Sequence, residues 1–265
     1  MIGAILGDIV GSIYEFDGIK TKDFEFFDKE CMFTDDTVMT IAVADALMQF
    51  DSITAENTEV FKTALVDTMH RIGIKYPDCG YGGRFCMWIL HGDKTPYNSC
   101  GNGSAMRVSP VGWYSKTLEE AEHIAKATAE VSHNHPEGIK GAVATAGAVF
   151  LARTGASSED IRKYISNYYT IDFTLDEIRP FFDYNITCQG TVPQAMQAFF
   201  ESTSFEDAVR NAISLGGDSD TLAAISGAVA EAYYSIDEDL KETALSYLDD
   251  FLLDITLRFE ERFMK

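Results

Sequence analysis

Phe33-Thr34-Asp35-Asp36-Thr37 sets two adjacent carboxylates between two threonine hydroxyls, and Val38-Met39-Thr40-Ile41-Ala42-Val43-Ala44-Asp45-Ala46-Leu47 behind it is a largely apolar helical run. Charges at the mouth of a buried helix are costly to desolvate unless something balances them. Far down the chain, Leu215-Gly216-Gly217-Asp218-Ser219-Asp220-Thr221 repeats the arrangement and opens onto the small-residue run Leu222 to Ala230. Helix capping needs one acceptor per helix. Here the two entrances carry Asp35, Asp36, Asp218 and Asp220 with hydroxyls from Thr34, Thr37, Ser219 and Thr221. All are hard oxygen donors with no soft ligand among them, a set suited to Mg²⁺ or Mn²⁺ ahead of Ca²⁺. Four carboxylates point to two ions, because one divalent cation leaves such a cluster negative. The expectation is one shared site built from two distant segments.

Working outward, 265 residues with 46% hydrophobic content suffice for a sizeable core in one large domain or two small ones. The net charge of -21 argues against a general nucleic-acid or anionic-membrane surface. It leaves room for one small anionic ligand, since a bound divalent cation reverses the local potential. Five scattered cysteines without a CxxC pair read as reduced thiols of a cytoplasmic protein. Asp8 interrupts the apolar N-terminus and no basic region precedes it, which is unlike a signal peptide. No apolar run approaches the roughly 20 residues of a membrane helix.

The remaining pattern is helical. Met1 to Tyr14 reads as a helix with Gly3, Gly7 and Gly11 on one face; taken alone, Gly7-Asp8-x-x-Gly11-x-x-x-Glu15 reads as close helix packing with Glu15 a solvated terminus. Asp17 to Met32 is a loop whose Lys20, Lys22, Phe24, Phe26 and Phe27 either fold over a ligand or pin a surface excursion. Helices follow at Ala55 to Ile72, at a short aromatic segment ending at Leu90, at Leu118 to Val131 capped by Thr117, and from Pro136 to about Arg153. Further helices are expected at Ser157 to Tyr168, Gln189 to Glu201, Phe205 to Leu215, from the second acidic motif to about Tyr234, and in the tail from Asp239. Asp172 to Ile186 is a connector.

Glycines flanking Asn102 in Gly101-Asn102-Gly103-Ser104-Ala105-Met106-Arg107 permit left-handed backbone, amides aimed at an anion and Arg107 as an added donor; a tight turn into a helix is the plainer reading. His133 and His135 do not share a helical face, and no cysteine lies near enough to suggest zinc. No strand, repeat, GxxxxGK(S/T), GxSxG or HExxH is present. One all-α domain spanning residues 1–265 is the expectation.

The order of these motifs resembles the ADP-ribosylglycohydrolases, the group that includes the dinitrogenase reductase-activating glycohydrolase and the vertebrate ADP-ribosyl-acceptor hydrolases. The resemblance runs from Gly7-Asp8 through Thr34-Asp35-Asp36-Thr37, Gly101 to Arg107 and His133-Asn134-His135-Pro136 to Gly216 through Thr221. It implies a compact orthogonal helical bundle with a binuclear metal cleft. Thr34, Asp35 and Asp36 would ligate two Mg²⁺ or Mn²⁺ ions from one side, and Asp218, Asp220 and Thr221 from the other. Glu15 would gate substrate or contact the ribose, and Asp35 or Asp36 would deprotonate the attacking water. Gly101, Asn102, Gly103, Ser104 and His133 would lie along the diphosphate and distal ribose, and Asp78 would meet an arginine leaving group. The implied activity is metal-dependent removal of ADP-ribose from a modified acceptor by a monomer without membrane or general nucleic-acid partners. Free O-acyl-ADP-ribose is an alternative substrate. A crystallin-like, non-catalytic member is a second alternative, against which all six expected ligand positions are filled.

Overall fold

Asp36 to Leu47 and Ser219 to Glu231 are buried along almost their whole lengths, as helices apolar on every face must be. The structure, a computed structural model, describes residues 1–16 and 18–264. Asp17, where the first expected loop begins, and Lys265 lie outside the described residues.

Helix α1 (Ile2–Gly11) is buried throughout and continues as a 3₁₀ turn, Ser12–Tyr14. Helix α2 (Asp35–Leu47) starts at Thr34, whose extended backbone and side chain cap it by accepting from Asp36 N–H. Helix α3 (Thr58–Gly73) begins three residues after Ala55, because Asn57 turns the chain first: its Oδ1 accepts from Thr54 N–H at 2.7 Å. Helix α4 (Gly83–His91) ends at Gly92, which takes the left-handed φ of 68°. Two short helices, α5 (Gly103–Met106) and α6 (Ser109–Tyr114), lead to α7 (Leu118–Glu130), which Thr117 caps as expected. Pro136 occupies the first turn of α8 (Pro136–Arg153), and a Ser157–Asp160 capping box opens α9 (Ser158–Ile165).

The 172–186 connector holds one turn of helix, α10 (Leu175–Ile178), opened by a Thr174–Glu177 capping box. Helices α11 (Cys188–Phe200), α12 (Phe205–Ile213) and α13 (Ser219–Tyr234) follow. The tail is two helices, α14 (Glu238–Leu245) and α15 (Asp250–Phe263). Asp249 starts the second by accepting from the Phe251 and Leu252 amides. The fold is all-α; among the described residues the β-type pairing is a single bridge between Gly101 and Thr187. Among them too, no helix is long and apolar enough to cross a membrane. All five cysteines are free.

The glycine spacing of α1 is a packing device. A Cβ on Gly3 would sit 2.3 Å from Gly227 O, one on Gly7 2.2 Å from Ala223 O, and one on Gly11 2.5 Å from Asp220 Cα. Glycine is therefore what lets α1 lie directly against α13. That contact brings the end of α1 to the acidic start of α13.

Candidate metal centre and cleft

Asp8, inside α1 and fully buried, organises the first acidic motif. Its carboxylate accepts from Thr34 N–H at 2.9 Å, Thr34 Oγ1–H at 2.6 Å and Thr37 N–H at 3.1 Å. These bonds fasten the α2 entrance to α1. The sequence reading did not number Asp8 among the site residues; the available signal was a carboxylate in the middle of an otherwise apolar helix.

On the other side, Gly216 and Gly217 adopt left-handed φ values of 67° and 72° and turn the chain sharply into α13. Ser219 Oγ donates to Gly11 O at 3.0 Å, which pins that entrance to α1 as well. The two motifs then meet. Thr221 Oγ1 donates to Asp36 Oδ2 at 3.2 Å, and Thr34 Oγ1 lies 3.5 Å from Asp220 Oδ2. Glu15, Asp218 and Asp220 each place one carboxylate oxygen within 4.8 Å of the others.

The electrostatics of this cluster are unfavourable as they stand. Burial pushes the Asp36 carboxyl well up, and Asp8, Asp35 and Asp218 push it further. Asp35 is raised well above its usual range by burial and then by Asp8, Asp218 and Glu15. Asp220 is raised in the same way, by burial and then by Asp218, Asp36, Glu15 and Asp8. Asp8 is pushed up to about 6 by burial, against the opposing pull of its threonine hydrogen bonds. Asp36 Oδ1 is buried without a hydrogen-bond partner. An orphaned carboxylate oxygen amid clustered like charges is the environment a hard divalent cation relieves. The hard oxygen donors at the two entrances suit such an ion in chemistry, and Glu15, Asp218 and Asp220 stand close enough together to share one.

A cavity of about 320 Å³ opens beside them, within the range of small-molecule sites. Its wall includes Glu15, the six candidate ligands, Gly101, Asn102, Gly103 and His133. Two expected residues stand elsewhere. Ser104 is fully buried away from the cavity, its Oγ donating to Gly138 O at 2.7 Å, so it ties α5 to α8. Asp78 is exposed and off the cavity wall, where Gly80, Gly82 and Gly83 of the same loop contribute instead.

Of the two readings of the Gly101–Gly103 segment, the turn into a helix holds, with α5 beginning at Gly103. Asn102 is right-handed (φ -71°, ψ -10°), and neither flanking glycine has a positive φ. Pairing with the 186–188 segment sets this backbone: Asn102 N–H donates to Ile186 O at 2.9 Å and Cys188 N–H to Cys100 O at 3.0 Å. The Asn102 side chain points its amide at the acids, donating to Asp218 Oδ2 at 2.6 Å and to Thr191 Oγ1 at 3.0 Å. Arg107 is 1% exposed and directs Nη2 at Thr128 O and Ser132 Oγ. The 18–32 loop contributes no cavity residue. Arg210 stacks over Phe24 and Phe26, and Lys20 Nζ reaches Phe182 O at 2.6 Å, so of the two readings the pinned surface excursion holds.

Sequence reasoning passed over Arg84, Phe85, Tyr97 and Tyr184, all on the cavity wall. Tyr184 OH donates to Glu15 Oε1 at 2.9 Å and its ring stacks on Phe16. Nothing local marks Tyr184, which lies in a connector 169 positions from its partner.

Residues 1–264 match the ADP-ribosylglycohydrolase family. The chain belongs to that family. Among its relatives, the ADP-ribosylhydrolase ARH3 of Homo sapiens is 27% identical, with 90% of this chain and 85% of the relative covered. The ADP-ribosylarginine hydrolase Tri1 of Pseudomonas putida is 26% identical over 89% of this chain and 70% of its own. A solved structure described as an ADP-ribosylglycohydrolase-related protein complex superposes with a TM-score of 0.69 at 22% identity, covering 98% of this chain and 96% of that one. For this ADP-ribosylglycohydrolase-family chain, the family resemblance read from the motif order is thereby borne out, as is the all-α fold.

Proposed function

We propose that the protein is a Mg²⁺- or Mn²⁺-dependent hydrolase that cleaves the ribosyl bond joining ADP-ribose to a modified acceptor side chain such as arginine or serine. The observation that carries this reading is the meeting of the two acidic helix entrances around the unpartnered Asp36 Oδ1, at the wall of a cavity. Family membership and the activities named for the two relatives support the reaction class.

Thr34, Asp35 and Asp36 would hold the ions from α2, and Asp218, Asp220 and Thr221 from α13. Bound there, divalent ions supply charge neutralisation and Lewis acidity toward ribose hydroxyls and water. The chain's own groups do the rest. Asp36 has one oxygen engaged by Thr221 and is held in place for ligation. Asp35, less buried than Asp36 and on the cavity wall, is the better placed base once bound cations offset the burial and like charges that raise its pKa. It takes the proton of the water that attacks ribose C1; the electron pair of the breaking C1 bond leaves on the acceptor atom, which takes up a proton from the protonated carboxyl or from solvent. Glu15, held by Tyr184, contacts the ribose or gates its entry. Gly101, Asn102, Gly103 and His133 line the part of the cleft assigned to the diphosphate and distal ribose. Orientation of substrate and water in one frame contributes to the rate.

The test is a hydrolysis panel of ADP-ribosyl-arginine, ADP-ribosyl-serine and O-acetyl-ADP-ribose, with Mg²⁺ and with Mn²⁺. Turnover on at least one ADP-ribosylated side chain is expected, together with a loss of about 100-fold or more in kcat for Asp35→Asn. Preference for the ester alone would move the assignment to free O-acyl-ADP-ribose. Undiminished turnover in excess EDTA would refute the metal-dependent reading.

A further inference from the structure

His133 is 5% exposed, sits on the cavity wall and is packed by Tyr97 and Phe85, with ring centroids 5.8 and 6.4 Å away. A methyl group added to Gly103 would lie 3.0 Å from its Nε2, so that nitrogen lies close over the glycine segment of the cleft. Among the described residues Nε2 has no hydrogen-bond partner, whereas Nδ1 lies 2.8 Å from Ser132 Oγ. Ser132 Oγ is in turn 2.7 Å from Arg107 Nη2.

The proton inventory of this chain of contacts has one satisfied solution. A guanidinium donates and cannot accept, so Ser132 Oγ accepts from Arg107. The hydroxyl has one hydrogen of its own, and its remaining side-chain neighbour is His133 Nδ1. If Nδ1 carried a proton, the buried hydroxyl hydrogen would be left without an acceptor, an arrangement buried polar groups avoid. The ring is neutral as well: burial, then Arg107, then Arg84 hold its pKa well below the usual histidine range. In a neutral ring whose Nδ1 accepts, the proton sits on the other nitrogen.

We propose that Ser132, fixed by the buried Arg107 guanidinium, locks His133 as the Nε2–H tautomer and so presents a neutral hydrogen-bond donor to a ligand oxygen in the cleft. Arg107 and Ser132 are positioning residues that act through His133. A donor of this kind takes an oxygen with a free lone pair, such as a phosphoryl oxygen. Naming that oxygen as part of ADP-ribose rests on the functional reading above; the tautomer itself does not.

The experiment is long-range ¹H–¹⁵N correlation of the imidazole rings in the ¹⁵N-labelled full chain at pH 7, with His133→Gln used to assign the His133 signals. The expected wild-type result is Nδ1 in the unprotonated range and Nε2 in the protonated range, with Nε2 shifting when ADP-ribose and Mg²⁺ are added. Ser132→Ala should populate the second tautomer and weaken the ADP-ribose Kd about 10-fold, the scale of one hydrogen bond. Ser132→Thr, which keeps the hydroxyl, should restore both readouts. A wild-type ring protonated at Nδ1, or at both nitrogens, overturns the inference even where Ser132→Ala fails to fold. A folded Ser132→Ala protein with the wild-type tautomer also overturns it. The expected tautomer with no response to ADP-ribose would sink the ligand assignment and leave the lock standing, so the two failures are distinguishable.

Discussion

Asn102 shows how much a single side chain can decide at this site. Its amide donates to Asp218 Oδ2 at 2.6 Å and so fixes the orientation of one candidate ligand. Groups that orient metal ligands typically cost 10–100-fold in metal affinity when removed. Asn102→Ala should therefore weaken Mg²⁺ and Mn²⁺ binding by about 10-fold or more, read by titration calorimetry on EDTA-stripped protein. His133 gives a second prediction at the same scale. Burial and two nearby arginines depress its folded pKa, whereas the unfolded ring accepts a proton near the ordinary value of about 6.5. Above that value the group is neutral in both states and costs nothing. As pH falls below it, the unfolded state binds the extra proton and stability drops until the folded pKa is reached. Denaturant unfolding should show a shallower loss of stability between pH 7 and pH 5 for His133→Gln than for wild type.

At the scale of elements, the α1–α13 contact fixes the site, and its glycines can be tested directly. A Cβ at Gly7 would meet Ala223 O at 2.2 Å, whereas one at Gly82 would meet nothing within 4 Å. Gly7→Ala should cost about 1–3 kcal/mol by overpacking, and Gly82→Ala should stay within about 0.5 kcal/mol, both measured by chemical denaturation. The same contact shows what was legible beforehand. Buried helices such as α2 and α13, and the Thr117 cap, announce themselves through composition and local hydrogen-bonding chemistry. The two acidic entrances were legible because each carries more oxygen donors than a cap can use. The turn of Gly101–Gly103 into a helix was legible, but its pairing with Thr187 was not, since that is a long-range event. For the same reason Tyr184 was passed over and Ser104 was placed on the cleft: one acquires its role from Glu15, and the other is held away from the cavity by Gly138.

Across the whole molecule, which carries a net charge of -21, the carboxylates hardest to accommodate are those of a buried cluster whose members raise one another's pKa values. A fold that assembles such a cluster is stabilised by whatever cation binds it, because binding to the native state alone adds RT ln(1 + [L]/Kd). At a Mg²⁺ or Mn²⁺ concentration 100 times Kd this amounts to about 2.7 kcal/mol, so the thermal midpoint should rise by several degrees and fall back on chelation. The most direct test of the joint site is calorimetric titration of Mn²⁺ into EDTA-stripped wild type, Asp36→Asn and Asp220→Asn, each checked for helical content. The account predicts binding to wild type that is severely weakened in both variants, since each segment supplies part of the same coordination. Wild-type affinity in either variant, or no binding to the unmodified protein, would contradict it.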